Sequence, residues 1–178
     1  ICAQLDRVER GEIDRLMLLC PPQHGKSQIT SRRYPAYILG RNPSRDIIAA
    51  SATADLAEGF GRDVRNVINS QEYRNLFPDT QLAEDSQAKG KWNTKQGGGY
   101  YAIGVGGQLF GRGGMAIIDD PFGSWADAQS ELQREKVWEW YQGTLYNRIR
   151  PGQPIIVIQH RMHEDDLSGF LLEQQNNG

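Results

Sequence analysis

Short apolar runs punctuate this chain, and stretches with helical periodicity separate most of them. The runs are "RLMLLC" (15–20), "RDIIAAS" (45–51), "GYYAIGV" (99–105), "MAIID" (115–119) and "QPIIVIQH" (153–160). Each is too short for a core helix and is bounded by glycine, proline or charged residues, so each predicts a buried strand. "QITSRRYPAYILG" predicts a helix bent at Pro35 and ended by Gly40. "DLAEGFGRDVRNVINS" places Leu56, Phe60, Val64, Val67 and Ile68 on one helical face. Residues 130–149 are amphipathic, with Leu132, Val137, Trp138, Tyr141, Leu145 and Ile149 near one stripe. Residues 78–99 are polar and glycine-rich apart from Trp92, and predict a loop or short hairpin; 106–114 must form a turn or mobile loop.

Apolar strands alternating with helices predict an α/β fold: a mostly parallel central sheet with helices on both faces. Ligands of such folds gather outside the carboxyl ends of the strands, so polar groups with chemistry should come directly after the apolar runs. Gly25-Lys26-Ser27 follows the first run, Ser51 and Thr53 the second, Asp119-Asp120 the fourth and Gln159-His160-Arg161 the last.

Composition narrows the picture. A length of 178 residues suits one domain spanning 1–178. The formal net charge of -2 supplies no general attraction to nucleic acid, so any DNA contact needs a local basic patch. Arg32, Arg33, Arg41 and Arg45 form the densest basic segment, which a solvated helix face explains equally well. The only cysteines, Cys2 and Cys20, make no disulfide framework and fit a reducing cytoplasm. No run approaches the ~18 apolar residues of a membrane span, and no signal peptide is expected. An initial isoleucine and the polar ending "EQQNNG" suggest a fragment of a longer chain.

Gly25-Lys26-Ser27 is how a phosphate-binding loop ends, although the glycine expected five places earlier is Cys20. Such a loop needs backbone N–H groups around the anion, a helix N-terminus behind them and a cation reaching the terminal phosphates. Gln23, His24, Gly25, Lys26, Ser27 and Gln28 are therefore the candidate nucleotide-binding residues. Lys26 would pair with the β and γ phosphates, and Ser27 would hold Mg²⁺. Cys20 is small enough for the strand-to-loop turn, and Pro21-Pro22 stiffen the loop. The alternative is a chance tripeptide in a loop.

A phosphate-loop enzyme needs a second acidic site to hold Mg²⁺. "MAIIDD" offers Asp119 as metal ligand and Asp120 as the base orienting water, one methylene shorter than the glutamate common there; the plainer reading is a strand-end pair opening a turn before Pro121. Arg112, in "FGRGG", could reach a γ-phosphate in its own or a neighbouring subunit, or simply be a solvated loop arginine.

Together, "CPPQHGKS", "GQLFGRGGMAIIDDP", "QREKVWEWYQGTLYNRI" and "IIVIQHRMHEDDLSG" resemble the ATPase domain of the tailed-phage terminase large subunit, over roughly residues 5 to 172. The resemblance implies a P-loop NTPase of the ASCE type, with ATP and Mg²⁺ as cofactors, that drives double-stranded DNA into a procapsid. It implies catalytic roles for Lys26, Asp120 and Arg112 (the last acting in trans) and metal ligation by Ser27 and Asp119. It places a motif coupling hydrolysis to movement around Gln159, His160 and Arg161. The implied partners are double-stranded DNA, neighbouring copies in a ring, a portal protein and a small terminase subunit, in the host cytoplasm. An RNase H-like nuclease domain would come after residue 178. Where the family often has a basic residue in the phosphate loop, this chain has Gln23 and His24.

Two rival functions remain at this level: a helicase or remodelling ATPase of the same fold, and a non-hydrolysing DNA-binding module with a decayed phosphate loop. "HEDDL" (163–167) could suggest a metal site, but neighbours on one short stretch converge poorly on an ion, and acids favour the start of a helix.

Overall fold

The computed structural model describes residues 1–109 and 113–177, without the side chains of Gln87 and Asn177. The elements run α1 (Cys2–Glu9), β1 (Arg15–Leu19), a π-helical stretch (Gln28–Arg33) continuing into α2 (Tyr34–Arg41), β2 (Asp46–Ser51), α3 (Ala54–Asn69) and α4 (Gln71–Leu76). Next come β3 (Leu82–Gln87), β4 (Lys91–Thr94), β5 (Gly99–Gly104), β6 (Met115–Asp119), α5 (Trp125–Gln129) and α6 (Glu131–Trp140). A second π-helical stretch (Tyr141–Leu145) and a short 3-10 turn (Tyr146–Arg148) lead to β7 (Ile155–Gln159) and α7 (Leu167–Asn177).

The strands form one sheet in the order β1-β7-β6-β2-β5-β4-β3. The five apolar runs supply its parallel part, β1-β7-β6-β2-β5. Strict alternation splits the residues of the central strands between two layers. Ile47, Ala49, Met115, Ile117, Ile156 and Ile158 pack on one side with Leu5, Val8, Ile38, Leu39, Val64 and Ile68 of α1, α2 and α3. Ile48, Ala50, Ala116, Ile118, Ile155 and Val157 pack on the other with Ala128, Val137, Trp140, Tyr141 and Leu145. Burial on both faces is why these strands read as continuous apolar runs.

The polar tract 78–99 is a hairpin: β3 and β4 pair antiparallel and extend the sheet beyond β5. Trp92 anchors it, fully buried, stacked on Tyr100 at 5.1 Å and donating from its indole nitrogen to the Gly61 carbonyl at 3.2 Å.

Three local expectations need correction. Helix α2 does not stop at Gly40; it continues to Arg41, and a side chain at Gly40 would sit 2.5 Å from the Phe77 ring. Gly40 is thus a packing glycine rather than a terminator. In α3 the core face is Ala57, Gly61, Val64 and Ile68, while Leu56 is exposed. Tyr100 presses so close to Gly61 that small residues define this face, which hydrophobicity alone misassigns. Leu132 is likewise exposed; Val137, Tyr141 and Leu145 of the expected stripe are buried in one cluster, with Trp138 and Ile149 packed against it, although the segment 130–149 changes helical type after Trp140.

Candidate functional site

The phosphate-loop candidate occupies the turn between β1 and the first long helical segment. The Cys20 N–H bonds the Gln159 carbonyl at 3.1 Å, prolonging the β1–β7 ladder by one residue before the chain turns. Gln23 and Gly25 then take positive φ, 61° and 76°. Left-handed backbone at Gly25 costs nothing sterically, and open space surrounds the position where a Cβ would stand. His24 bonds the Pro22 carbonyl through Nδ1 at 2.7 Å, tying the turn to itself. The first helical bond runs from the Ile29 N–H to the Gly25 carbonyl, 3.2 Å. The amides of Lys26, Ser27 and Gln28 therefore head the helix without carbonyls behind them, as an anion site requires.

Opposite this loop ends β6. Asp119 faces Ser51 across the β2–β6 pairing and is 1% exposed. Its Oδ2 accepts from the Ser31 hydroxyl at 2.5 Å, while Oδ1 is buried without a hydrogen-bond partner among the described residues. Burial pushes the Asp119 carboxyl above the usual carboxylate range; the Ser31 and Ser27 hydroxyls draw it back, the Asp120 charge adds to the rise and Lys26 opposes it. A buried carboxylate with an orphaned oxygen beside two hydroxyls is a hard-oxygen donor set, which suits a divalent cation such as Mg²⁺.

Asp120 is next, with φ of 42°. Its backbone is held on both sides: the N–H donates to the Ile158 carbonyl at 2.8 Å, and the carbonyl accepts from the Ala52 N–H at 3.2 Å. Aspartate is one of the few non-glycine residues found in this left-handed region, which bears on its presence here instead of glutamate. The Lys26 Nζ, nearly buried at 5% residue exposure, lies 2.9 Å from Asp120 Oδ1 and 2.6 Å from Oδ2. Oδ1 also accepts from the His160 backbone N–H at 3.2 Å and lies 3.3 Å from His160 Nδ1.

The structure thus brings together Lys26, Ser27, Asp119 and Asp120, the residues named from spacing alone. It adds Ser31, which the sequence reading missed; the signal was its position one helical turn after Ser27, on the same face. Other candidates sit elsewhere. Thr53 caps α3, accepting from the Leu56 N–H at 3.3 Å. Gln159 is buried with neither amide atom hydrogen-bonded among the described residues. Arg161 turns to Asp166, 2.9 Å away, and to the carbonyls of His163 and Glu164. Asp166, in turn, accepts from the Gly169 N–H at 3.1 Å at the start of α7, so this acidic stretch leads into a helix as its composition suggests. Among the described residues no group of three or more His, Cys, Asp and Glu could hold a metal. Arg112 lies outside the described residues, and no described helix is long and apolar enough to cross a membrane.

A mixed, mostly parallel seven-stranded sheet with a Gly-Lys-Ser loop after β1, an acidic pair at the end of β6 and β7 between those strands is consistent with the α/β fold of a P-loop ATPase. Residues 17–166 match the family described as the N-terminal part of the T4-like-virus type of terminase large subunit, and the chain belongs to that family. Among solved structures, the crystal structure of the HK97 bacteriophage large terminase is similar, with a TM-score of 0.57 at 13% identity. The match covers 93% of this chain and 33% of that one, so this chain spans about a third of that protein's length. No curated protein matches significantly.

Proposed function

We propose that this chain is the ATP-hydrolysing part of a motor that moves double-stranded DNA into a viral procapsid. The observation that carries the reading is the meeting of the loop lysine with the acidic pair: Lys26 on Asp120, and the loop helix on Asp119 through Ser31. These groups come from the segment after β1 and from the end of β6, and they meet at one rim of the sheet, where a triphosphate would find both its cation and its base.

In this reading the head of the loop helix and Lys26 bind the phosphates, and Ser27 and Asp119 hold Mg²⁺. Bound there, the ion would neutralise charge on the β and γ oxygens. Asp120 orients the attacking water and accepts its proton. Arg112, from a neighbouring copy in a ring, stabilises charge on the transferring phosphoryl group. DNA is held through its phosphates, independently of sequence, so engagement weakens steeply with salt. DNA as cargo, and a portal protein and a small terminase subunit as partners, belong to the same proposal, which family membership supports.

The test is ATP turnover by the complete packaging assembly. Lys26→Ala and Arg112→Ala should each reduce it at least ~10³-fold, the scale at which such charge stabilisation operates. Near-normal turnover in both variants would refute the proposal.

A further inference from the structure

We infer that His160 is the positioning residue for the Asp120 carboxylate. The inference rests on the ATPase reading and gives His160, which the sequence marks only as a polar residue after the last strand and within the implied coupling motif, a part in the hydrolysis itself. Lys26 contacts both Asp120 oxygens, at 2.6 and 2.9 Å, and an aspartate so paired is not free to act as a base. A lysine drawn onto a triphosphate gives up that pairing. Among the described residues, the donors left to Asp120 Oδ1 are then both from His160: the backbone N–H at 3.2 Å and ring Nδ1 at 3.3 Å.

A carboxylate only accepts hydrogen bonds, so the contact requires the proton on Nδ1. The Asp120 backbone is already clamped between Ile158 of β7 and Ala52 after β2. Its remaining freedom is rotation of a short side chain, which the imidazole restrains. His160 stands just past the last residue of β7, the strand between β1 and β6, and so comes to the carboxylate from the strand that neighbours β6. Exchange of Lys26 for the His160 ring as the principal side-chain partner converts an ion-paired aspartate into an oriented base.

The backbone contact survives any substitution, so the ring can be tested separately. Asparagine carries an N–H close to where histidine carries Nδ1; glutamine reaches further, and leucine has no donor. Full-length protein with DNA should show kcat reduced roughly 10-fold in His160→Leu, part of the 10²–10⁴ that a positioned base contributes. Affinity for a non-hydrolysable ATP analogue should stay within about twofold, since the ring contacts the base and not the phosphates. His160→Asn should recover most of kcat and His160→Gln should not. Adding His160→Leu to Asp120→Asn should produce no further loss, because the ring then has no base to position. Unchanged kcat in His160→Leu, equal loss in the Asn and Leu variants, or additive loss in the double variant each overturns the inference. If Lys26→Ala and Asp120→Asn also leave turnover intact, the ATPase reading itself has failed; if they abolish it while His160→Leu does not, only the role of His160 is lost.

Discussion

Asp119→Asn should make the metal-free protein more stable, not less. The side chain is 1% exposed, Ser31 satisfies one oxygen and nothing among the described residues satisfies the other. Asparagine keeps the shape and removes the charge, and the Ser31 hydroxyl can serve either its oxygen or its amide. Relief of a buried, half-satisfied carboxylate is worth about 1–3 kcal/mol. At roughly 2–4 °C per kcal/mol for a domain of this size, the melting temperature should rise by about 2–12 °C. The cause also fixes the sign with pH. Burial raises the folded-state value of Asp119, so its favourable contribution is complete below the ordinary carboxylate range and is lost as pH climbs through the raised value. The two proteins should therefore melt together in acid and diverge toward neutral and alkaline pH. Calorimetry in EDTA across pH 4 to 8, repeated with Mg²⁺ and an ATP analogue, reads both effects; the analogue should stabilise the wild type and not the variant. A wild type that melts at or above Asp119→Asn at pH 8 in EDTA, or a difference that ignores pH, refutes the reasoning.

Two further expectations concern the frame around the site. Gly40→Ala drives a methyl group into the Phe77 ring and should cost about 1–3 kcal/mol by denaturant titration; a stabilising result would mean Gly40 is an ordinary helix position whose alanine is simply the better helix former. Asp166→Ala removes the acceptor shared by Arg161, Met162 N–H and Gly169 N–H and should cost about 2–3 kcal/mol, between loss of a helix cap and loss of a buried ion pair. Arg161→Ala should cost less, since its guanidinium is partly solvated and the cap remains; equal losses would contradict that division.

Whatever was legible in the chain itself was local. Runs buried on both faces carry their own signature, so the five parallel strands could be placed within a residue or two, and Gly25-Lys26-Ser27 marked the turn after the first. The misplacements arose where a distant partner set the outcome. Leu56 looked like core because apolar residues usually are, yet the contact of Gly61 with Tyr100 chose a face built from small residues. Gly40 looked like a stop because nothing nearby in sequence shows the ring of Phe77. The polar tract around Trp92 revealed its pairing only beside β5.

By itself, then, the sequence determined the inventory of the protein: which segments are strands, where the loop turns, and which residues have the chemistry for phosphate, cation and base. Only the tertiary structure decided the order of strands, with β7 between β1 and β6. That order sets Lys26 on Asp120 across 94 residues of chain and Ser31 on Asp119 across 88. The physical reason is that periodicity and turn chemistry act over a few residues, whereas strand order is chosen by burial summed over both faces of the whole sheet.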